Sequence, residues 1–217
     1  AIAAFLRPCE AVAAAASGHI CVHEAGAVEG SGHKVLAIPA PDGKLTPALL
    51  EEAMAGPFSE HTVLPKLAYV SNTTELGTVY TREELYALGE ACRRLGLLLY
   101  CDGARLGCAM EAGGTELADY ARTCDAFTIG GTKNGLLFGE ALVIVSPALQ
   151  PDFRRYMKQQ GAMLAKGRLL GVQFEAVLRD GLYRRLAAHA NAMARRLAEG
   201  LEALDVPLLV PARSNQL

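Results

Sequence analysis

Asp125-Ala-Phe-Thr-Ile-Gly-Gly-Thr-Lys-Asn-Gly135 is a short apolar, β-branched run that breaks at Gly130-Gly131, presents Thr132 and Lys133, and turns again at Asn134-Gly135. Such a run predicts a buried strand with a lysine at its end. Partial desolvation there makes an amine a usable Schiff-base nucleophile. A lone loop lysine is more often a solvated one, so a second stretch decides the matter.

That stretch is Leu97-Leu-Leu-Tyr-Cys-Asp-Gly-Ala-Arg-Leu106, an apolar strand ending in Asp102, with Arg105 three residues later. A carboxylate at the mouth of a buried strand is costly without a cationic partner. The protonated ring nitrogen of pyridoxal phosphate is such a partner. A strand-end Asp followed by a strand-end Lys supplies what that cofactor needs: a counter-ion that keeps the ring protonated as an electron sink, and an amine to hold the aldehyde.

The intervening chain predicts how the two come together. Leu67-Ala-Tyr-Val-Ser71 is a buried strand, Thr81-Arg-Glu-Glu84 is a capping box, and Leu85, Leu88, Cys92 and Leu95 recur at helical spacing before Gly96. Strand, helix, strand with short connections is the βαβ pattern of a parallel sheet, which puts Ser71, Asp102 and Lys133 at one carboxyl edge. Ligands bind at that edge in open α/β sheets. Ala141–Val145 is a further strand, antiparallel because the connection from Gly135 is too short for a crossover.

Four stretches, His19-Ile-Cys-Val-His-Glu-Ala-Gly26, Ser71-Asn-Thr-Thr-Glu-Leu-Gly-Thr-Val-Tyr80, Asp102-Gly-Ala-Arg105 and Thr128-Ile-Gly-Gly-Thr-Lys133-Asn-Gly, resemble the low-specificity L-threonine aldolases in order and spacing. The resemblance runs over essentially all of the chain. It implies the large domain of a fold-type-I pyridoxal-phosphate enzyme of the aminotransferase superfamily, an α/β fold with a mostly parallel sheet flanked by helices. By the same resemblance residues 1–180 are that cofactor-binding domain, lacking its start, and residues 181–217 are a linking helix and the beginning of a small C-terminal domain. A phosphate-holding loop is expected before Ala1 and the rest of the small domain after Leu217.

The implied activity is a carbon–carbon lyase: cleavage of L-threonine, L-allo-threonine and related β-hydroxy-α-amino acids to glycine and an aldehyde. Lys133 then holds pyridoxal 5'-phosphate and Asp102 faces its ring nitrogen. His19 stacks on the ring and helps remove the β-hydroxyl proton, while Thr132 and, more weakly, Thr128 donate to the phosphate. Arg105 binds the substrate carboxylate or the cofactor's phenolic oxygen, the carboxylate being favoured by the resemblance. Some aldolases of the family carry a second histidine in an Asn-Thr-His-Asn loop, whereas the matching segment here is Asn72-Thr73-Thr74-Glu75, leaving Glu75 as a weaker base candidate than His19. The same residues would also serve another β-eliminating lyase or an aminotransferase-like enzyme, or persist in a catalytically incomplete fragment.

Elsewhere the sequence is less specific. Thr46-Pro47 opens a helix to about Ala55, and His19–Val22 and Lys34–Ile38 read as short strands. As strand residues, His19 and His23 share no metal-binding face and no metal site is assigned; His33 is expected to be a satisfied structural histidine. Residues 152–167 read as a helix whose Arg154, Arg155, Lys158 and Lys166 make a solvated or subunit-facing surface. From Gly181 to Leu204, Leu182, Leu186, Ala190, Met193, Leu197, Leu201 and Leu204 form a core or interface stripe. Val206-Pro-Leu-Leu-Val210 reads as the beginning of a strand. The 217 residues suffice for a sizeable core, and a net charge of −2 gives no basis for nucleic-acid or membrane-surface binding. The six cysteines contain no C-x-x-C pair and predict reduced, packed thiols. A cytoplasmic homo-oligomer, dimer or tetramer, acting on a small amino acid is the resulting expectation.

Overall fold

The computed structural model describes residues 1–217. In chain order the strands are β1 (Glu10–Ala15), β2 (Val35–Ile38), β3 (Leu64–Ser71), β4 (Leu98–Asp102), β5 (Ala126–Gly130) and β6 (Glu140–Ile144). The helices are α1 (Ile2–Phe5), α2 (His19–Val22), α3 (Ala27–Gly30), α4 (Pro47–Met54), α5 (Arg82–Leu95), α6 (Leu106–Gly113), α7 (Leu117–Thr123), α8 (Phe153–Gln159), α9 (Arg168–Leu178) and α10 (Leu182–Glu202). One sheet runs β2-β1-β3-β4-β5-β6. Its first five strands are parallel and β6 is antiparallel to β5.

The βαβ core follows from local signals. Both halves of the Thr81–Glu84 capping box form at the start of α5, and Gly96 ends it with φ 67, a conformation that disfavours a side chain. Leu85, Leu88 and Cys92 are buried against the sheet and feed directly into β4. Helices α4 to α7 and α10 cover one face, where Leu99, Cys101, Phe127 and Ile129 meet Leu50, Leu88, Met110 and Tyr120. On the other face Val12, Leu67, Tyr69, Tyr100 and Ala126 pack with Phe5, Ile20 and Val28, and Phe153 of α8 stacks on Phe5 at 5.8 Å between ring centroids.

Several elements differ from expectation. The alanine-rich opening supplies β1, which lies between β2 and β3 with all six residues buried. Alanine has little strand propensity of its own; here tertiary packing on both faces of a central strand decides. His19–Val22 is a helical turn instead of a strand. The chain reverses as β1 ends, with Gly18 N–H donating to Ala15 O at 2.7 Å, and a Cβ on Gly18 would lie 2.8 Å from that oxygen.

At the other end, residues 206–210 form no strand. Leu209 is 92% exposed, and the segment joins no strand of the sheet. The chain instead crosses to the loop after β3, where Ser214 Oγ donates to Gly77 O at 3.1 Å. The helix expected over 152–167 stops at Gln159, and α9 follows separately.

Helix α10 forms as expected, but its buried face is Tyr183, Ala187, Asn191 and Ala194. Gly107 of α6 explains the choice: a Cβ there would meet Tyr183 at 3.0 Å and Ala187 at 3.1 Å, so small residues let the two helices approach. Leu182 packs against the core, whereas Leu186, Met193, Leu197 and Leu204 are left exposed, so much of the leucine stripe lies outside the core of this chain. No helix is long and apolar enough to cross a membrane.

Candidate active site

Because β1, β3, β4 and β5 are parallel neighbours, the residues that follow their carboxyl ends line one edge. His19 comes after β1, Ser71 ends β3, Asp102 ends β4, and Lys133 stands in a single 3₁₀ turn (Thr132–Asn134) after β5. Ser71 and Asp102 are directly paired in register. Glu140, the first residue of β6, is paired with Gly130 at the same edge.

Asp102 is half-buried and each of its oxygens accepts one hydrogen bond. Ala104 N–H donates to Oδ1 at 2.9 Å and the Tyr69 hydroxyl donates to Oδ2 at 2.6 Å. Burial, with the negative charge of Asp102 beside it, raises the Tyr69 phenol far above its ordinary value. Tyr69 is not a residue that the sequence singles out. Its alternation with Ser71 on β3 is legible, but its meeting with Asp102 depends on the register between β3 and β4.

Lys133 is exposed, so the burial expected around its amine is not supplied by these residues. Its turn is nevertheless held firmly. Asn134 is buried, and its Nδ2 donates to Gly130 O and to Ala104 O, both at 2.9 Å, tying the turn that carries Lys133 to the one that carries Asp102. Glu140 joins them: partial burial and the Asp102 charge push its carboxyl up, and the Lys133 ammonium draws it back. Three charged groups thus share a small region, and the sequence had identified only two of them.

Arg105 stands at the N-cap of α6, half-buried. The ion pairs of the chain include neither Arg105 nor Lys133. Thr132 is exposed beside Lys133. Thr128 is different: it lies within β5, buried, and its Oγ1 accepts from Gly103 N–H at 2.8 Å. That bond ties it to the turn that carries Asp102, with Thr128 as the acceptor.

His19 Nδ1 lies 2.7 Å from Glu24 Oε1. With Nδ1–H directed at that carboxylate, the neutral ring carries its lone pair on Nε2. The helical turn brings the His23 ring to 5.3 Å from that of His19, a shared face that the strand assignment had withheld. His33 is buried and its Nδ1 meets Glu10 O at 3.1 Å, the structural role expected of it. In the loop after β3, Asn72 is fully buried, donating to Tyr120 Oη at 2.8 Å and accepting from Tyr80 N–H, while Glu75 stays half-exposed.

The donor set fits pyridoxal phosphate: an unpaired amine, a carboxylate with lone pairs beyond its two bonds, an imidazole and an unpaired guanidinium along one edge. Comparison with known proteins points the same way. The profile of the beta-eliminating lyase family matches residues 1–217. The chain is 36% identical to the low specificity L-threonine aldolase of Pseudomonas aeruginosa, over 99% of this chain and 64% of that protein. Among solved structures it superposes on the threonine aldolase of Leishmania major with a TM-score of 0.96 and 50% identity, covering 98% of this chain and 63% of that one. An aspartate aminotransferase of Thermus thermophilus shares the fold, with a TM-score of 0.71 at 18% identity. The chain therefore spans a little under two thirds of the length of the two aldolases.

Proposed function

The chain belongs to the beta-eliminating lyase family, and from that premise we propose that it carries the catalytic edge of a pyridoxal-phosphate-dependent aldolase. Its substrates would be L-threonine, L-allo-threonine and related β-hydroxy-α-amino acids, and its products glycine and an aldehyde. The observation that carries the proposal is the alignment of His19, Asp102 and Lys133 at the carboxyl ends of neighbouring parallel strands, with Arg105 unpaired beside them.

When bound, the cofactor supplies a protonated ring that accepts the electron pair released at the substrate Cα. Lys133 offers the amine to which its aldehyde attaches. Asp102, fixed by Tyr69 and Ala104, keeps lone pairs with which to hold the proton on the ring nitrogen. Thr132 offers a hydroxyl to the phosphate. Arg105 binds the substrate carboxylate with a planar two-donor fork. His19 would cover the ring face, and its Nε2, which carries the lone pair when Nδ1–H faces Glu24, would take the β-hydroxyl proton directly or through a water as the Cα–Cβ bond breaks.

In this proposal residues 1–180 belong to the large domain and residues 181–217 link it to a small one. The enzyme works in the cytoplasm as a homo-oligomer, for which exposed Leu186, Met193, Leu197 and Leu204 offer an apolar contact face. The test is a product assay with L-threonine and added cofactor. Glycine and acetaldehyde in equal amounts are expected. 2-Oxobutanoate with ammonia would instead identify an eliminating lyase, and a keto acid formed only with an amino acceptor would identify an aminotransferase.

A further inference from the structure

We propose that Tyr69 is a positioning residue: through its hydrogen bond to Asp102 it fixes the direction in which that carboxylate faces the cofactor ring, an inference that rests on the role given to Asp102 above.

The geometry around Tyr69 is specific. Tyr69 and Ser71 lie on the same face of β3 as Tyr100 and Asp102 do on β4, because the strands pair Tyr69 with Tyr100 and Ser71 with Asp102. The phenol therefore reaches one step along the neighbouring strand to Asp102 Oδ2 at 2.6 Å. It has little freedom to leave. Tyr69 is 2% exposed, its ring meets Tyr100 edge-on at 5.8 Å, and Ala14 of β1 flanks it in register on the other side. Ala104 N–H holds the second carboxylate oxygen at 2.9 Å. One donor on each oxygen sets the plane of the carboxylate and leaves its remaining lone pairs in fixed directions.

A buried hydroxyl must find some acceptor, and this one could merely have taken the nearest. Two observations go beyond that. The bond is charge-assisted and short, the class that carries the most energy and orientation. The phenol is also held far above its ordinary proton affinity by burial and by Asp102, so it donates throughout the working pH range. Without it, Asp102 would keep only the Ala104 contact and could turn about its own side-chain bond.

The test is a double-mutant cycle on the binding of pyridoxal 5'-phosphate, read by fluorescence titration without turnover. Tyr69→Phe is expected to weaken cofactor binding about tenfold in the otherwise natural protein, and by less than about twofold when Asp102 is already Ala. Equal losses in both backgrounds would mean that Tyr69 does not act through Asp102, and would overturn the proposal while leaving the role of Asp102 standing. An Asp102→Ala protein with unchanged cofactor affinity would overturn both. Should Tyr69→Phe not fold, 3-fluorotyrosine at position 69 keeps the volume and the donor while changing its acidity. It is expected to shift the pH at which the absorbance band of the bound cofactor titrates, and an unshifted band would overturn the proposal.

Discussion

Gly103 and Thr128 join the two turns that carry the site: Gly103 N–H donates to Thr128 Oγ1 at 2.8 Å, and a Cβ on Gly103 would lie only 2.0 Å from the Thr128 carbonyl oxygen. Backbone stands in the way there, so nothing flexible can yield. Gly103→Ala is expected to cost stability at or above the upper end of the roughly 1–3 kcal/mol typical of overpacking. Thr128→Val keeps the shape but strands a buried amide, at roughly 1–3 kcal/mol. Thr128→Ser keeps the acceptor and should cost less. Urea unfolding midpoints at constant slope measure all three; a Thr128→Val protein as stable as the parent would remove the bond from the account.

Lys133→Ala should leave the fold intact to within about 0.5 kcal/mol, as for other exposed positions. It should also abolish the borohydride-reducible attachment of pyridoxal phosphate. Mass spectrometry of the reduced, digested parent protein locates that attachment. A modified Lys34, Lys66 or any lysine other than 133 would show the site to be misassigned.

The parts of this site that the sequence disclosed are those set by short-range signals. The capping box at Thr81–Glu84, the helical spacing to Cys92 and the stop at Gly96 specify a crossover, and a crossover places the ends of β3 and β4 on one edge. Asp102 and Lys133 follow from that. Tyr69 and Glu140 do not, because each enters the site through register: Tyr69 by lying one step behind Ser71 opposite Asp102, and Glu140 by pairing with Gly130 across the antiparallel turn. Strand β1 is not legible in the sequence because alanines become a strand only when other layers bury them. The packed face of α10 is not legible for a related reason. Leucines mark the apolar side in sequence, yet the close approach to α6 belongs to Tyr183 and Ala187, which fit against Gly107.

Acid stability should depend on Asp119. Burial pushes this carboxyl up, but hydrogen bonds from Tyr86, the Glu116 amide and Arg82 outweigh burial and hold it below the usual range. A carboxyl lowered on folding contributes stability above its unfolded value of 3.8, and that contribution is lost as pH falls through the folded value. Asp119→Asn should therefore be less stable than the parent at pH 7, by roughly 1–3 kcal/mol for donors left with a poorer partner. The gap should close as pH drops below 3.8. Thermal melts of both proteins between pH 7 and pH 2 check the sign, and a gap that stays constant would rule out the linkage.

Arg105 is a half-buried cation at the start of α6 that pairs with none of the carboxylates in the chain, although Asp102 stands three residues before it. A partly desolvated charge without a counter-ion is costly, so an arriving anion gains more there than at an open surface. In the proposed reaction that anion is the carboxylate of the amino acid, and a guanidinium can meet it with two parallel N–H bonds. Each charge-assisted bond contributes roughly 1.5–3 kcal/mol, and about 1.4 kcal/mol is a factor of ten in affinity. Arg105→Lys, which keeps the charge but loses the fork, should raise KM for threonine about tenfold, and Arg105→Ala about a hundredfold, with smaller changes in kcat. An amino alcohol lacking the carboxylate should bind the parent and Arg105→Ala proteins alike. If Arg105→Ala instead weakens pyridoxal phosphate binding as much as it weakens threonine, Arg105 serves the phenolic oxygen of the cofactor, and the substrate carboxylate must find its cation elsewhere.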